Sequence, residues 1–355
     1  MLGSHMTGSN IWGTSIVTLS FSQIYLLYAL FSLSALHLSF LHSSDNSVSH
    51  QKSLAKEYQY LATLYHTKCI TLFRHEIQNL SASNSAACAA CASYLSLFAW
   101  ATPGARGADL FFPSDTSPSS AQILDKISPG SASKPKITRK KAVPWYKIQR
   151  GGHLIVSKTY AWVSASEYRD IVDPWRTINY DHIYRHPHPM YQSDINRCDS
   201  ENLDLVATCW TETSSATNDD FANVLSEEDI DALEETLQTL HYVFNLLAIL
   251  ESPRTNLASS TSNVALPPTQ ISASIAVLSW TTLLPSRFCD MVESRVPQAL
   301  VLIAVYCVVL KRAEDLWWIR GKAGSLLGAV RYELGGDRRW ERWLEWPTAE
   351  VNGLC

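Results

Sequence analysis

From Ala299 to Leu310 the chain reads ALVLIAVYCVVL, and the phenol of Tyr306 and the thiol of Cys307 are its only polar side-chain groups. A helix over this run is apolar on every face, so other elements must enclose it. The run is shorter than the ~18–20 residues of a bilayer crossing, and Arg295 and Lys311 bracket it. It therefore predicts the central helix of a soluble helical domain, within a stretch Pro297 to Trp318 that ends on Trp317 and Trp318.

Other stretches supply the helices that such a core needs. Ile16 to Leu41 is uncharged for long enough to raise a membrane span. Tyr25, Tyr28, Ser32, Ser34, His37 and Ser39 recur through it, however, and no Lys or Arg flanks its start. It reads as a buried or groove-lining helix. Gln51 to Leu80 carries Leu54, Tyr58, Leu61, Tyr65, Cys69 and Phe73 at helical spacing, an amphipathic helix facing the first. Ser85 to Trp100 is Ala-rich in its first half, so a second helix can approach it closely; Pro103-Gly104 ends it. Trp145 to Val156 is helical but interrupted by Gly151-Gly152, and Tyr160 to Met190 reads as an irregular excursion. Ser226 caps a long helix whose first turn is acidic, which suits the positive end of the helix dipole. Helices then follow at Ile271 to Leu284, Arg287 to Arg295, the central run, and Ile319 to Leu334.

The expected fold is all-α, a single multi-helix domain with a central buried helix and an apolar pocket. Residues 1–5 look like a vector scar; 6–102 form the N-terminal helices, 103–143 a flexible Ser/Pro/Lys loop, and 144–355 the remaining helices. Lys134 to Lys141, KPKITRKK, is a solvated loop or a nuclear-localisation patch. A net charge of −4 lacks the basic excess of a dedicated nucleic-acid binder. Twelve Trp and fifteen Tyr supply aromatics that line apolar pockets as readily as they fill cores.

Metal and redox chemistry find little support. Of eight cysteines only Cys88-Ala-Ala-Cys91 has ligand spacing, and no second pair completes a site. Asp181-His182 and His186-Pro187-His188 are metal-capable but loosely spaced among prolines. No metal is expected, and buried free thiols in a reducing compartment are the reading of the cysteines.

Three blocks carry a resemblance. They are FSQIYLLYALFSLSALHLSFLH at 21–42 with YLATLYHTKCITLFRHEI at 60–77, WYKIQRGGHLIV at 145–156, and the long block 278–330 closed by WERWLEWP at 340–347. Their order resembles the C-terminal effector domain of fungal zinc-cluster transcription regulators of the sterol-uptake type. The resemblance implies an all-helical domain that holds a sterol-like ligand in an apolar pocket, often as a homodimer, and governs a separate DNA-binding module. The six closely spaced cysteines of a binuclear zinc cluster are absent from this sequence, so no nucleic acid is expected to be bound by this chain in the family's way.

Two functions compete on this basis, with a purely structural interaction module, which predicts no internal cavity, as a third. The first is a ligand-sensing effector domain, which would be nuclear. The second is a cytoplasmic, cofactor-free cyclase of fungal secondary metabolism, similar to stand-alone Diels–Alder enzymes of terpenoid or polyketide pathways. Such a pocket works by holding a flexible chain in a reactive conformer while a few donors polarise a carbonyl. The missing cluster, and Met6 read as a genuine start, favour the enzyme. Candidate catalytic groups are Tyr306, His241 and Trp280; candidate ligand contacts are Tyr242, Phe288, Trp317, Trp318, Arg287 and Phe98. Ordinary core packing competes for each aromatic. For Arg287 and Arg295 the competing reading is a surface ion pair with Asp290 or Glu293. The partner is a lipophilic small molecule, with neither cofactor nor membrane span.

Overall fold

The computed structural model describes residues 10–43, 49–102, 106–113, 143–172, 194–215, 225–251 and 272–354. The 1–5 segment, Met6, Pro103-Gly104, the 134–141 basic run and the 181–188 histidines lie outside them. All regular structure among the described residues is helical, as the patterning predicts. By its internal contacts the chain parts into two compact units, one holding the described residues up to 172 and the other those from 194 onward.

In the first unit the helices are α1 (Ser15–Ser20), α2 (Ile24–His42), α3 (Ser49–Glu76), α4 (Ser85–Ala101) and α5 (Trp145–Ser164). Helices α2 and α3 run antiparallel, because partners ascend on one as they descend on the other. His42 stacks on Tyr58, Tyr28 on Tyr65, and Tyr25 meets Phe73. Ser39 adds a hydrogen bond to the Ala55 carbonyl at 2.8 Å. Among the described residues α2 is the single helix long and apolar enough by itself to cross a bilayer, and 44% of that window is buried inside the protein.

The Ala-rich half of α4 is buried from Ser85 through Ala92, as close approach by neighbours requires. Helix α5 uses this smooth face. A Cβ at Gly152 would lie 2.6 Å from Ser96 Oγ and 3.3 Å from the Ala92 carbonyl oxygen, while Gly151 meets nothing within 4 Å. The glycine pair thus sits inside a continuous helix, which extends to Ser164 and shortens the expected irregular excursion at its start. Trp145 packing on Trp100 closes the far end of the α4/α5 contact, with ring centroids 5.6 Å apart.

The second unit contains α6 (Asp194–Ser215), α7 (Glu227–Glu251), α8 (Ala273–Leu283), α9 (Ser286–Glu293), α10 (Pro297–Arg312), α11 (Lys322–Glu333) and α12 (Glu341–Asn352). Helix α10 is the expected central element. Residues Ala299 to Leu310 are each 0% exposed, and α6, α7, α9, α11 and α12 pack around it. Pro297 at its first position costs no intrahelical bond, and Lys311 and Arg312 suit the negative C-terminal end. Helix α7 starts as expected: the Asp229 amide donates to Ser226 Oγ, and the Ser226 amide donates back to Asp229 Oδ2 at 2.9 Å.

Candidate functional site

Three of the proposed residues come together where α8, α9 and α10 meet. The Tyr306 ring stacks on Trp280 with centroids 4.3 Å apart and planes 22° from parallel. Phe288 also meets Trp280, edge-on, with centroids 6.0 Å apart. All three side chains are 0% exposed. Their positions follow from the helices: Trp280 lies one turn beyond Val277 on α8, and Tyr306 is at mid-length of the enclosed α10.

The polar atoms of this cluster already have main-chain partners. Tyr306 donates its hydroxyl to the Val277 carbonyl at 2.7 Å, tying α10 to α8. Trp280 Nε1 donates to the Thr236 carbonyl on α7 at 3.4 Å. Burial, more than the neighbouring Cys307, pushes the Tyr306 phenol well above its ordinary value, so it remains a neutral donor at any physiological pH. In this arrangement the cluster chemically is a stacked aromatic core with two donors facing backbone carbonyls.

The other named residues are not partners in those two hydrogen bonds. His241 on α7 is half-buried; burial holds it below the ordinary imidazole value, and the Asp204 carboxylate pulls the other way. Tyr242 beside it is 0% exposed. Trp318 is buried and Trp317 half-buried in the turns between α10 and α11. Phe98 belongs to the first unit, where it stacks on His66 at 3.7 Å with planes 6° apart.

Arg287 forms an ion pair, but with Asp229 at 2.7 Å rather than with Asp290 or Glu293. Burial raises Asp229, yet the hydrogen bonds from Arg287 and Ser226 outweigh it and keep the carboxyl below the usual range. Arg295 likewise reaches Glu333 at 2.7 Å. Both partners are remote in sequence and close in space, which is why local spacing pointed elsewhere.

Spacing along the sequence does not disclose the most enclosed ionic cluster among the described residues of the second unit. Arg312, at the end of α10, binds Asp199 on α6 through two bonds, reaches Glu350 on α12 at 3.3 Å, and lies over the Phe244 ring at 5.3 Å. The available signal was a cation ending an otherwise apolar helix.

Comparison with known proteins gives one informative likeness. A Zn(2)-C6 fungal-type transcription factor from Gibberella zeae is 36% identical over 73 residues. That stretch covers 20% of this chain and only 15% of the relative's length. The likeness is to a regulator. No known family's sequence pattern matches the chain, and no solved structure matches it.

Proposed function

We propose that this chain is a helical effector module of the fungal Zn2-C6 regulator type, responding to a lipophilic small molecule of sterol or terpenoid class. The observation that carries the reading is the 36% identity to a fungal transcription factor. The enclosed all-helical second unit suits it, since an apolar guest is recognised by shape and burial with few polar anchors. The bonds from Tyr306 and Trp280 to main-chain carbonyls speak for a packing role there, and they set the effector reading ahead of the cyclase.

The test is a fusion of the whole chain to an unrelated DNA-binding domain in a yeast reporter strain, with sterol supply varied. Reporter output that follows sterol supply is the expected result. The purified chain is incubated in parallel with sterols and linear terpenoids, and the mixture is analysed by native mass spectrometry and by extraction. Compounds retained unchanged support the effector module. A silent reporter together with a cyclised product in the extract overturns it in favour of the enzyme.

A further inference from the structure

We propose that Cys69 on α3 and Cys91 on α4 are a dithiol pair that hydrogen peroxide converts into a disulfide latch between the two helices. The two Sγ atoms are 3.5 Å apart although 22 residues separate them in sequence, and both residues are 0% exposed. A disulfide bond is about 2.05 Å long, so closure needs an approach of roughly 1.5 Å, within reach of side-chain rotation and a small helix shift.

The surroundings favour this pairing over the alternatives. Helices α3 and α4 run antiparallel, since His66 stacks on Phe98 where Cys69 meets Cys91. The buried alanines from Ala86 to Ala92 keep the α4 surface low around Cys91. Cys88, one turn earlier on α4, instead contacts the Tyr25 hydroxyl of α2 at 3.5 Å. Within the Cys-Ala-Ala-Cys spacing, therefore, only Cys91 faces a thiol on another helix among the described residues.

The chemistry balances with the peroxide as the oxidant. One sulfur attacks the peroxide, forming an S–O bond as the O–O bond breaks, and water leaves with the thiol proton. The second sulfur then displaces the hydroxyl from the sulfenic acid, forming S–S and releasing a second water. Burial holds the Cys91 thiol well above its ordinary value, which slows the first step while the dithiol is enclosed. The latch accordingly closes under sustained peroxide rather than at first exposure.

The experiment uses the full chain with Cys198→Ser, which removes the one exposed thiol among the described residues. It is treated with hydrogen peroxide, quenched with N-ethylmaleimide, digested and mapped by mass spectrometry. A cross-linked peptide joining Cys69 to Cys91, two hydrogens lighter than its parts and reversed by dithiothreitol, is expected. It should persist with Cys88→Ser and disappear with Cys91→Ala. Both thiols alkylated after prolonged peroxide, or a bridge through Cys88, overturns the proposal. If Cys91→Ala fails to fold, the map of the Cys198→Ser chain decides by itself.

Discussion

Arg312 grips Asp199 across 113 residues, donating from its two terminal nitrogens to the two carboxylate oxygens at 2.7 and 2.8 Å. Asp199 is 4% exposed, so its charge has little water to fall back on. Removing one partner of an enclosed pair leaves the other uncompensated, which costs more than the pair itself contributes. Arg312→Met should therefore destabilise the chain by about 3 kcal/mol, read as a lower urea midpoint. Adding Asp199→Leu should restore much of that loss. A double variant as unstable as the sum of the two single ones would show that the residues act independently.

Tyr306 offers a second measurement. Its hydroxyl holds the Val277 carbonyl while its ring stacks on Trp280, so Tyr306→Phe keeps the stack and removes one buried bond. The expected cost is about 1 kcal/mol of stability. Trp280→Phe opens a void beside Phe288 and should cost more, about 2 kcal/mol. Were the Tyr306 hydroxyl reserved for a guest, the tyrosine change would leave the urea midpoint untouched and weaken retention of the ligand only.

What the sequence made legible follows from how local each signal is. The central helix was plain because twelve consecutive residues lack a charged group, and α7 because Ser226 and an acidic first turn mark its start. Helix α6 was passed over although it supplies the Asp199 ligand. Its buried stripe runs Asp199, Leu203, Val206, Trp210, and so begins on a carboxylate that an apolar pattern cannot count. The same limit hid the partners of Arg287 and Arg295, which lie 58 and 38 residues away. Of the named residues, Tyr306, Trp280 and Phe288 pack against one another. That their donors face the carbonyls of Val277 and Thr236 is a fact of helix register, which spacing along one helix does not encode.

The two neighbouring glycines of α5 should respond in opposite directions. Gly151 is exposed and a Cβ there meets open space, so Gly151→Ala should stabilise by about 1 kcal/mol through helix propensity. At Gly152 the Ser96 hydroxyl can rotate from a single added carbon, but the Ala92 backbone carbonyl cannot. Gly152→Val should thus destabilise by about 2 kcal/mol, as overpacking does, with Gly152→Ala between the two. Thermal unfolding of the three variants side by side checks the order. Equal midpoints for Gly151→Ala and Gly152→Val would mean that α4 and α5 do not pack through this face.

His66 makes stability depend on pH. It stacks on Phe98, its Nδ1 has no hydrogen-bond partner among the described residues, and burial lowers its pKa from 6.5 to about 4. The folded state therefore resists protonation that the unfolded chain accepts. The stability tied to neutral His66 is fully present above the unfolded value of 6.5 and is lost as pH falls toward the folded value of about 4. His66→Phe retains a ring for the stack and cannot take up a proton. Between about pH 7.5 and about pH 4.5 the parent should lose about 2 kcal/mol more than this variant, measured by urea unfolding at each pH. Parallel pH profiles for the two proteins would place the acid sensitivity elsewhere, in carboxylate pairs such as Arg287 with Asp229, whose stabilisation also fades on acidification but is common to both chains.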